Sequence, residues 1–291
     1  MPQEAAQVSI CAWEAKGILL EHYAYTAGAV TPLPKHAHAA YQFGLSFDCQ
    51  GEYCYRGSRH PIPVGSLSIV HSGEVHAPSD RTSLPQPAHF AMAHIEPMWL
   101  HTVAEEIAEK PTSEPFFETA FLTDPTLNRL FLVLQRVIDR QASKLEQDTA
   151  LWDFLTYLIT HHALNRPEDH PTKPIHTAVA RACDYLHAHF ADDISLEELA
   201  AIANLSRFHF CRVFRKTIGL SPSTYQTQLR IAQARKLLAQ GLPIITVAAT
   251  TGFYDQSHFG WHFKRQVGTT PGNYSATRLS KINGFPESSA L

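Results

Sequence analysis

The chain has 291 residues, of which 44% are hydrophobic and 18% charged, enough for two cored domains and incompatible with general disorder. Its net charge of −3 hides an acidic front and a basic back: residues 1–174 carry 12 lysines and arginines against 20 acidic residues, whereas 206–281 carry 11 against Asp255 alone. Only the back half suits a polyanion, and no run of about 18 apolar residues offers a membrane span.

At the N-terminus, MPQEAAQVSICAWEAKG lacks a basic stretch followed by an apolar one, so no secretory leader is expected. Cys11, Cys49, Cys54, Cys183 and Cys211 are scattered without a C-x-x-C. That spacing argues against a disulfide framework or zinc ribbon and for a reducing, cytoplasmic setting. Up to about residue 100, short runs (Ile18–Tyr25, Tyr41–Phe47, Glu52–Tyr55, Ser66–Val70, Phe90–Ile95) alternate with Gly and Pro. Such spacing predicts the strands of a sandwich or small barrel. Two amphipathic helices follow. Leu127, Leu130, Leu134, Val137 and Ile138 mark the first, opened by Asp124-Pro125; Leu151, Phe154, Leu155, Leu158 and Ile159 mark the second, with Asp148 as its expected cap.

The segments Lys35-His-Ala-His-Ala-Ala-Tyr-Gln-Phe43, Gly51–Gly57, Pro63–Gly65 and His71–His76 resemble a cupin barrel over about residues 10–95. The resemblance implies a small-molecule sensing fold. Enzymatic cupins hold a divalent metal with an H-x-H pair, a nearby glutamate and a later histidine. Here His36, His38 and His76 match, but the glutamate position is empty and Gln42 is the best substitute. No cofactor is therefore expected. The reading taken is an effector pocket lined by His36, His38, Tyr41, Gln42 and His76; histidines capping strands at the rim remain the alternative. No Ser/His/Asp set, phosphate loop or paired-carboxylate site stands out, so an enzyme is not expected.

Three prolines in Arg166–Pro174 make a spacer, taken as the domain boundary. Beyond it the pattern is helical and contains a repeat. Ser206–Tyr225 and Asp255–Tyr274 share His209/His258, Phe210/Phe259, Phe214/Phe263, Gly219/Gly268, Pro222/Pro271 and Tyr225/Tyr274 at an offset of 49. Upstream the offset is 48, pairing Leu199-Ala-Ala201 with Val247-Ala-Ala249. Each copy reads as helix, tight turn, helix. Ser195 and Glu198 form an expected capping box, Asn204 and Gly252 suit left-handed turns, and Ser206 and Asp255 suit caps. Between the copies, Ser221-Pro222 to Gln240 predicts a helical rod of about 28 Å. That rod could set two reading helices near the ~34 Å repeat of adjacent major grooves.

Residues 176–278 resemble the DNA-binding domain of AraC/XylS-type bacterial transcription regulators. The stretch Gly252-Phe-Tyr-Asp-Gln-Ser-His-Phe-Gly-Trp-His-Phe-Lys-Arg265, then Gly268-Thr-Thr-Pro-Gly-Asn-Tyr274, is similar to that family's signature. The resemblance implies reading helices near Arg207–Thr217 and Asp255–Gln266. Cys211 and Trp261 depart from it, standing where a longer polar residue and an arginine are common, so a recognised base sequence does not carry over. Arg212 is the leading base reader, because Arg pairs bidentately with guanine. Arg207, Phe208, Cys211, Gln256, Ser257 and Trp261 are further candidates, with Phe208 and Trp261 equally suited to a core. Ser206, Arg215, Lys216, Lys264 and Arg265 are assigned to phosphates, which position without specifying.

The expected fold is multi-domain: a cupin or jelly-roll-like β-barrel (1–100), a helical region (101–165), a linker (166–174), an all-α domain with two helix-turn-helix motifs (175–280) and a tail (281–291). The expected function is a sequence-specific DNA-binding transcription regulator controlled by a small effector. Expected partners are double-stranded promoter DNA, the effector, a second copy of the chain through 124–164, and RNA polymerase. Packing of those helices on the barrel is the other reading. A metal-dependent cupin enzyme with a helical accessory domain, or a constitutive regulator whose barrel only dimerises, are the alternatives.

Overall fold

The computed structural model describes residues 4–15, 17–30, 35–48, 51–78, 82–167, 176–267 and 269–276. The expected spacer lies mostly (168–174), and the expected tail wholly (281–291), outside those residues. The chain forms two compact units, Met1–Asp139 with Ala150–Pro171, and Arg140–Thr149 with Thr172–Leu291.

The first unit is a set of antiparallel sheets. A six-stranded sheet has the order β1 (Val8–Ala15), β2 (Ile18–Tyr25), β10 (Ala88–Ile95), β4 (Tyr41–Ser46), β7 (Leu67–Val70), β11 (Phe121–Leu122). A three-stranded sheet has the order β6 (Ser58–Ile62), β5 (Gly51–Tyr55), β8 (His76–Pro78), and β3 (Gly28–Ala29) pairs β9 (Ser83–Leu84). Helices α1 (Pro97–Ala108), α2 (Pro125–Asp139) and α3 (Lys144–His162) follow. The alternation of side chains along each strand decides what faces what. Tyr41, Phe43 and Leu45 of β4 are buried, and Phe43 meets Phe154 of α3 edge-on at 5.4 Å. Gln42 points the other way, where Tyr53 of β5 donates no bond to it but receives its Nε2–H at 3.2 Å. Leu127, Phe131, Leu134, Leu155, Leu158 and Ile159 are fully buried, so the apolar stripes of α2 and α3 are used in this core.

Asp124 caps α2 as expected, its Oδ1 accepting the Thr126 and Leu127 N–H groups at 2.8 and 3.1 Å. Asp148 does not cap α3. That helix starts four residues earlier, where Ser143 Oγ accepts the Glu146 N–H and Glu146 Oε2 accepts the Ser143 N–H, a reciprocal capping box. Asp148 Oδ2 instead accepts the Leu196 N–H at 3.1 Å. It thus serves the first turn of α5 (Leu196–Ala203).

The second unit is helical: α4 (His176–Ala188), α5, α6 (Arg207–Ile218), α7 (Pro222–Ala239), α8 (Ile244–Thr250), α9 (Gln256–Val267) and α10 (Pro271–Ala276). The repeat in sequence is a repeat in packing. Phe210 and Phe214 are fully buried with centroids 5.4 Å apart, and Phe259 and Phe263 repeat both features at 5.4 Å. Tyr225 meets Phe214 edge-on at 5.7 Å, and Tyr274 meets Phe263 likewise at 5.3 Å. The turns hold as well. Asn204 sits in the left-handed region at φ 57°, and Gly252 at φ 78°. A Cβ on Gly252 would fall 2.1 Å from the Ala191 carbonyl oxygen, so this turn needs glycine for space as well as for backbone freedom.

Candidate functional site

Two helix-turn-helix motifs, α5–α6 and α8–α9, flank α7. Each second helix is started by the residue the sequence singles out. Ser206 Oγ accepts the His209 N–H at 3.3 Å, and Asp255 Oδ1 accepts the His258 N–H at 2.6 Å. Ser195 Oγ accepts the Glu198 N–H at 3.1 Å. The Glu198 carboxylate, however, accepts from the Tyr185 hydroxyl, so its half of the expected box goes elsewhere.

On α9 the candidate readers share an outer face. Gln256 and Ser257 are exposed, Trp261 is 42% exposed, and Lys264 and Arg265 are exposed one turn on. Arg140 and Arg265 place guanidinium carbons over the Trp261 ring at 4.7 and 5.1 Å, giving the indole a cationic surround. On α6, Arg207 and Arg212 are half-buried and Arg215 and Lys216 exposed. Phe208 and Cys211 are corrections: at 7% and 6% exposure they are buried, unlike the Gln256, Ser257 and Trp261 surface. A buried side chain presents no edge to a base, so neither is retained as a reader.

In the first unit, three predicted pocket residues come together. The rings of His36 and His38 lie 4.4 and 4.9 Å from that of His76, and ligand-capable atoms of all three fall within 4.8 Å of one another. His38 Nε2 lies 3.1 Å from the Gln42 side-chain amide, and its Nδ1 lies 2.7 Å from the Ala40 carbonyl. His76 is 1% exposed; its Nδ1 lies 3.2 Å from the Glu74 carbonyl, and its buried Nε2 meets no partner among the described residues. Burial lowers the affinity of His76 for a proton, and the neighbouring His36, His38 and His94 act in the same direction. Among the described residues of this unit, these three imidazoles form the cluster that could hold a metal, and no carboxylate joins them there. Tyr41 is a correction. One residue from Gln42 on the same strand, it faces the opposite side, donating to the Pro115 carbonyl at 3.1 Å and packing on His71 and Phe117.

The comparisons agree with this division. Residues 20–155 match the family described as AraC-like ligand binding domain, and residues 199–277 match the helix-turn-helix domain family. The chain is 27% identical over 238 residues to the uncharacterized HTH-type transcriptional regulator YbfI of Bacillus subtilis (strain 168), covering 79% of this chain and 82% of that protein. It is 34% identical over 116 residues to the arabinose operon regulatory protein of Escherichia coli (strain K12), covering 39% of each. The chain belongs to the AraC family of transcriptional regulators. Among solved structures, the C-terminal domain of AraT from Geobacillus stearothermophilus aligns at 30% identity with a TM-score of 0.34, covering 38% of this chain and 94% of that one.

In this AraC-family regulator, several site residues were not visible in the sequence. His94 of β10 stands opposite Gln42 of β4 in register, its ring 5.1 Å from His38. Its Nε2 lies 3.3 Å from Glu21 Oε2 on β2. Strand pairing brings these together, and only the regular alternation of 88–95 hinted at it. Arg230, counted in the basic patch, is 2% exposed; it donates to the Phe190 and Asp192 carbonyls at 2.7 and 2.9 Å. Its charge is structural, and no spacing rule separates it from a surface arginine.

Proposed function

We propose that the protein binds one duplex through α6 and α9 together and that a small effector in the first unit alters that binding. The observation carrying this reading is the doubled motif: two capped helices of equal packing, one at each end of α7. Base reading is assigned to Arg207, Arg212, Gln256, Ser257 and Trp261, and phosphate contact to Ser206, Arg215, Lys216, Lys264 and Arg265. The effector pocket is assigned to His36, His38, Gln42, His76 and His94, with Tyr53 behind them. The buried, unpartnered His76 Nε2 favours this over rim histidines, because an unmet polar atom in a core is costly unless something bonds to it. A small polar molecule carrying a hydrogen-bond donor fits. We assign no catalysis to this site and place the protein in the cytoplasm. A homodimer through 124–164 and contact with RNA polymerase complete the proposal.

The test is genome-wide mapping of bound sites, followed by binding to a recovered site with and without small molecules drawn from the neighbouring genes' chemistry. An effector that raises the melting temperature of the protein and changes DNA affinity supports the reading. A molecule that binds yet leaves DNA affinity and transcription unchanged removes effector control. Light scattering showing monomer at micromolar concentration removes the dimer.

A further inference from the structure

A second convergence of donors lies within the second unit, on the buried side of α9. His258 and His262 are one turn apart on α9 and both are buried. Glu146 reaches them from the Arg140–Thr149 segment. His262 Nε2 is 3.0 Å from His258 Nε2 and 3.3 Å from Glu146 Oε1, and His258 Nε2 is 3.6 Å from Glu146 Oε2. We propose that Glu146, His258 and His262 bind a divalent transition-metal ion of the zinc class.

Three observations carry it. The first is spacing: histidines at i and i+4 share one helix face, the arrangement a helix uses to offer two imidazoles to one ion. The second is distance. A tetrahedral ion with bonds of ~2.0–2.1 Å holds its donors about 3.3–3.4 Å apart; the three separations here bracket that value. A purely hydrogen-bonded trio would close to about 2.7–2.9 Å at the carboxylate. Two imidazole Nε2 atoms in contact also need one of them to donate and the other to accept, whereas an ion satisfies both lone pairs. The third is support around the ligand. Arg140 donates to Glu146 Oε1 at 2.9 Å, and the Ser143 N–H and Oγ lie 3.3 and 3.1 Å from Oε2, so the carboxylate is held in place from behind. Lys144 N–H to Asp193 and Leu196 N–H to Asp148 anchor the same segment at 2.9 and 3.1 Å. Three protein donors leave a fourth position for water. Imidazole and carboxylate together suit zinc, cobalt or nickel better than calcium or magnesium. The bound ion would tie the second reading helix to the segment whose Arg140 covers Trp261.

The test uses the full chain, stripped with chelator and titrated with Co²⁺ alone, read by its visible ligand-field absorption and by elemental analysis. Because His36, His38 and His76 form a separate cluster, the titration is run in the His36→Gln/His38→Gln background. One equivalent of Co²⁺ with tetrahedral absorption is expected there, displaced by Zn²⁺. Adding His262→Gln should weaken uptake by more than about 100-fold, beyond the 10–100-fold of an outer-shell change; Glu146→Gln should do the same with both histidines intact. Circular dichroism confirms that each variant is folded, and the variant that folds decides. No uptake in the background protein overturns the proposal, as does uptake that is unchanged in a folded His262→Gln or Glu146→Gln chain.

Discussion

At the scale of single residues, neighbouring positions with similar chemistry have opposite roles. Arg212, half-buried on α6, is proposed as a base reader, so Arg212→Ala should cost about 1–3 kcal/mol on the specific site and relax one base position. Equal weakening on specific and random duplex, measured by anisotropy at fixed salt, would reassign it to a phosphate. Two left-handed glycines separate backbone conformation from space. Gly219 (φ 80°) has nothing within 4 Å of a new Cβ, whereas Gly252 (φ 78°) meets the Ala191 carbonyl at 2.1 Å. Gly219→Ala should therefore cost about 1 kcal/mol. Gly252→Ala should cost clearly more in the same urea titration; equal losses would mean that the turn shifts freely.

His71 makes the protein sensitive to acid. Burial pushes its imidazole down to about 4, and the Arg56 guanidinium adds to this. Its Nε2 accepts the Phe117 N–H at 3.0 Å, which requires the neutral ring. The unfolded chain thus takes up a proton near pH 6.5 that the folded chain refuses until about pH 4. Stability from this group is complete above pH 6.5 and falls as pH drops towards 4, by on the order of 3 kcal/mol. Urea midpoints from pH 7 to 4.5 should fall less steeply in His71→Gln than in the unmodified chain. An identical slope in the two would place the titration elsewhere.

At the scale of elements, α7 connects the two motifs. Eighteen residues at ~1.5 Å give about 27 Å. Its charges divide by burial: Arg230→Ala should lower stability by about 1.5–3 kcal/mol and leave the salt dependence of DNA binding unchanged. Lys264→Ala on α9 should do the reverse, reducing the slope of log K against log salt by about 1. A changed slope in Arg230→Ala would return that residue to the interface. What was legible in the sequence followed local chemistry. Asn204, Ser206 and Asp255 act within a turn of themselves, so their side chains announced the motifs; Gly252 announced its turn, though not its close approach to Ala191. Five of the strands were marked by their own apolar runs. What was not legible depends on distant partners. Asp148 serves α5, 48 residues away, while Ser143 and Glu146 start α3. His94 and Glu21 come beside the His36–His38–His76 cluster through strand register, and Tyr41 faces away because alternation sends Gln42 to that side in its place. Helix α1 was not singled out in the sequence, although Pro97 stands in its first turn and Leu100, Val103 and Ile107 recur at helical spacing on its buried face.

At the scale of the whole molecule, the charge asymmetry matches the division of labour. The acidic front carries the AraC-like ligand binding domain and the basic back carries the helix-turn-helix domain. In the proposed complex, α6 and α9 engage one face of one duplex at successive turns of the major groove. Hydroxyl-radical footprinting of the full chain on a site recovered from the genome tests it most directly. Two protected patches are expected on the same face, about 10–10.5 base pairs apart, both fading as salt rises. A single patch, two patches on opposite faces, or no salt-sensitive protection would contradict it.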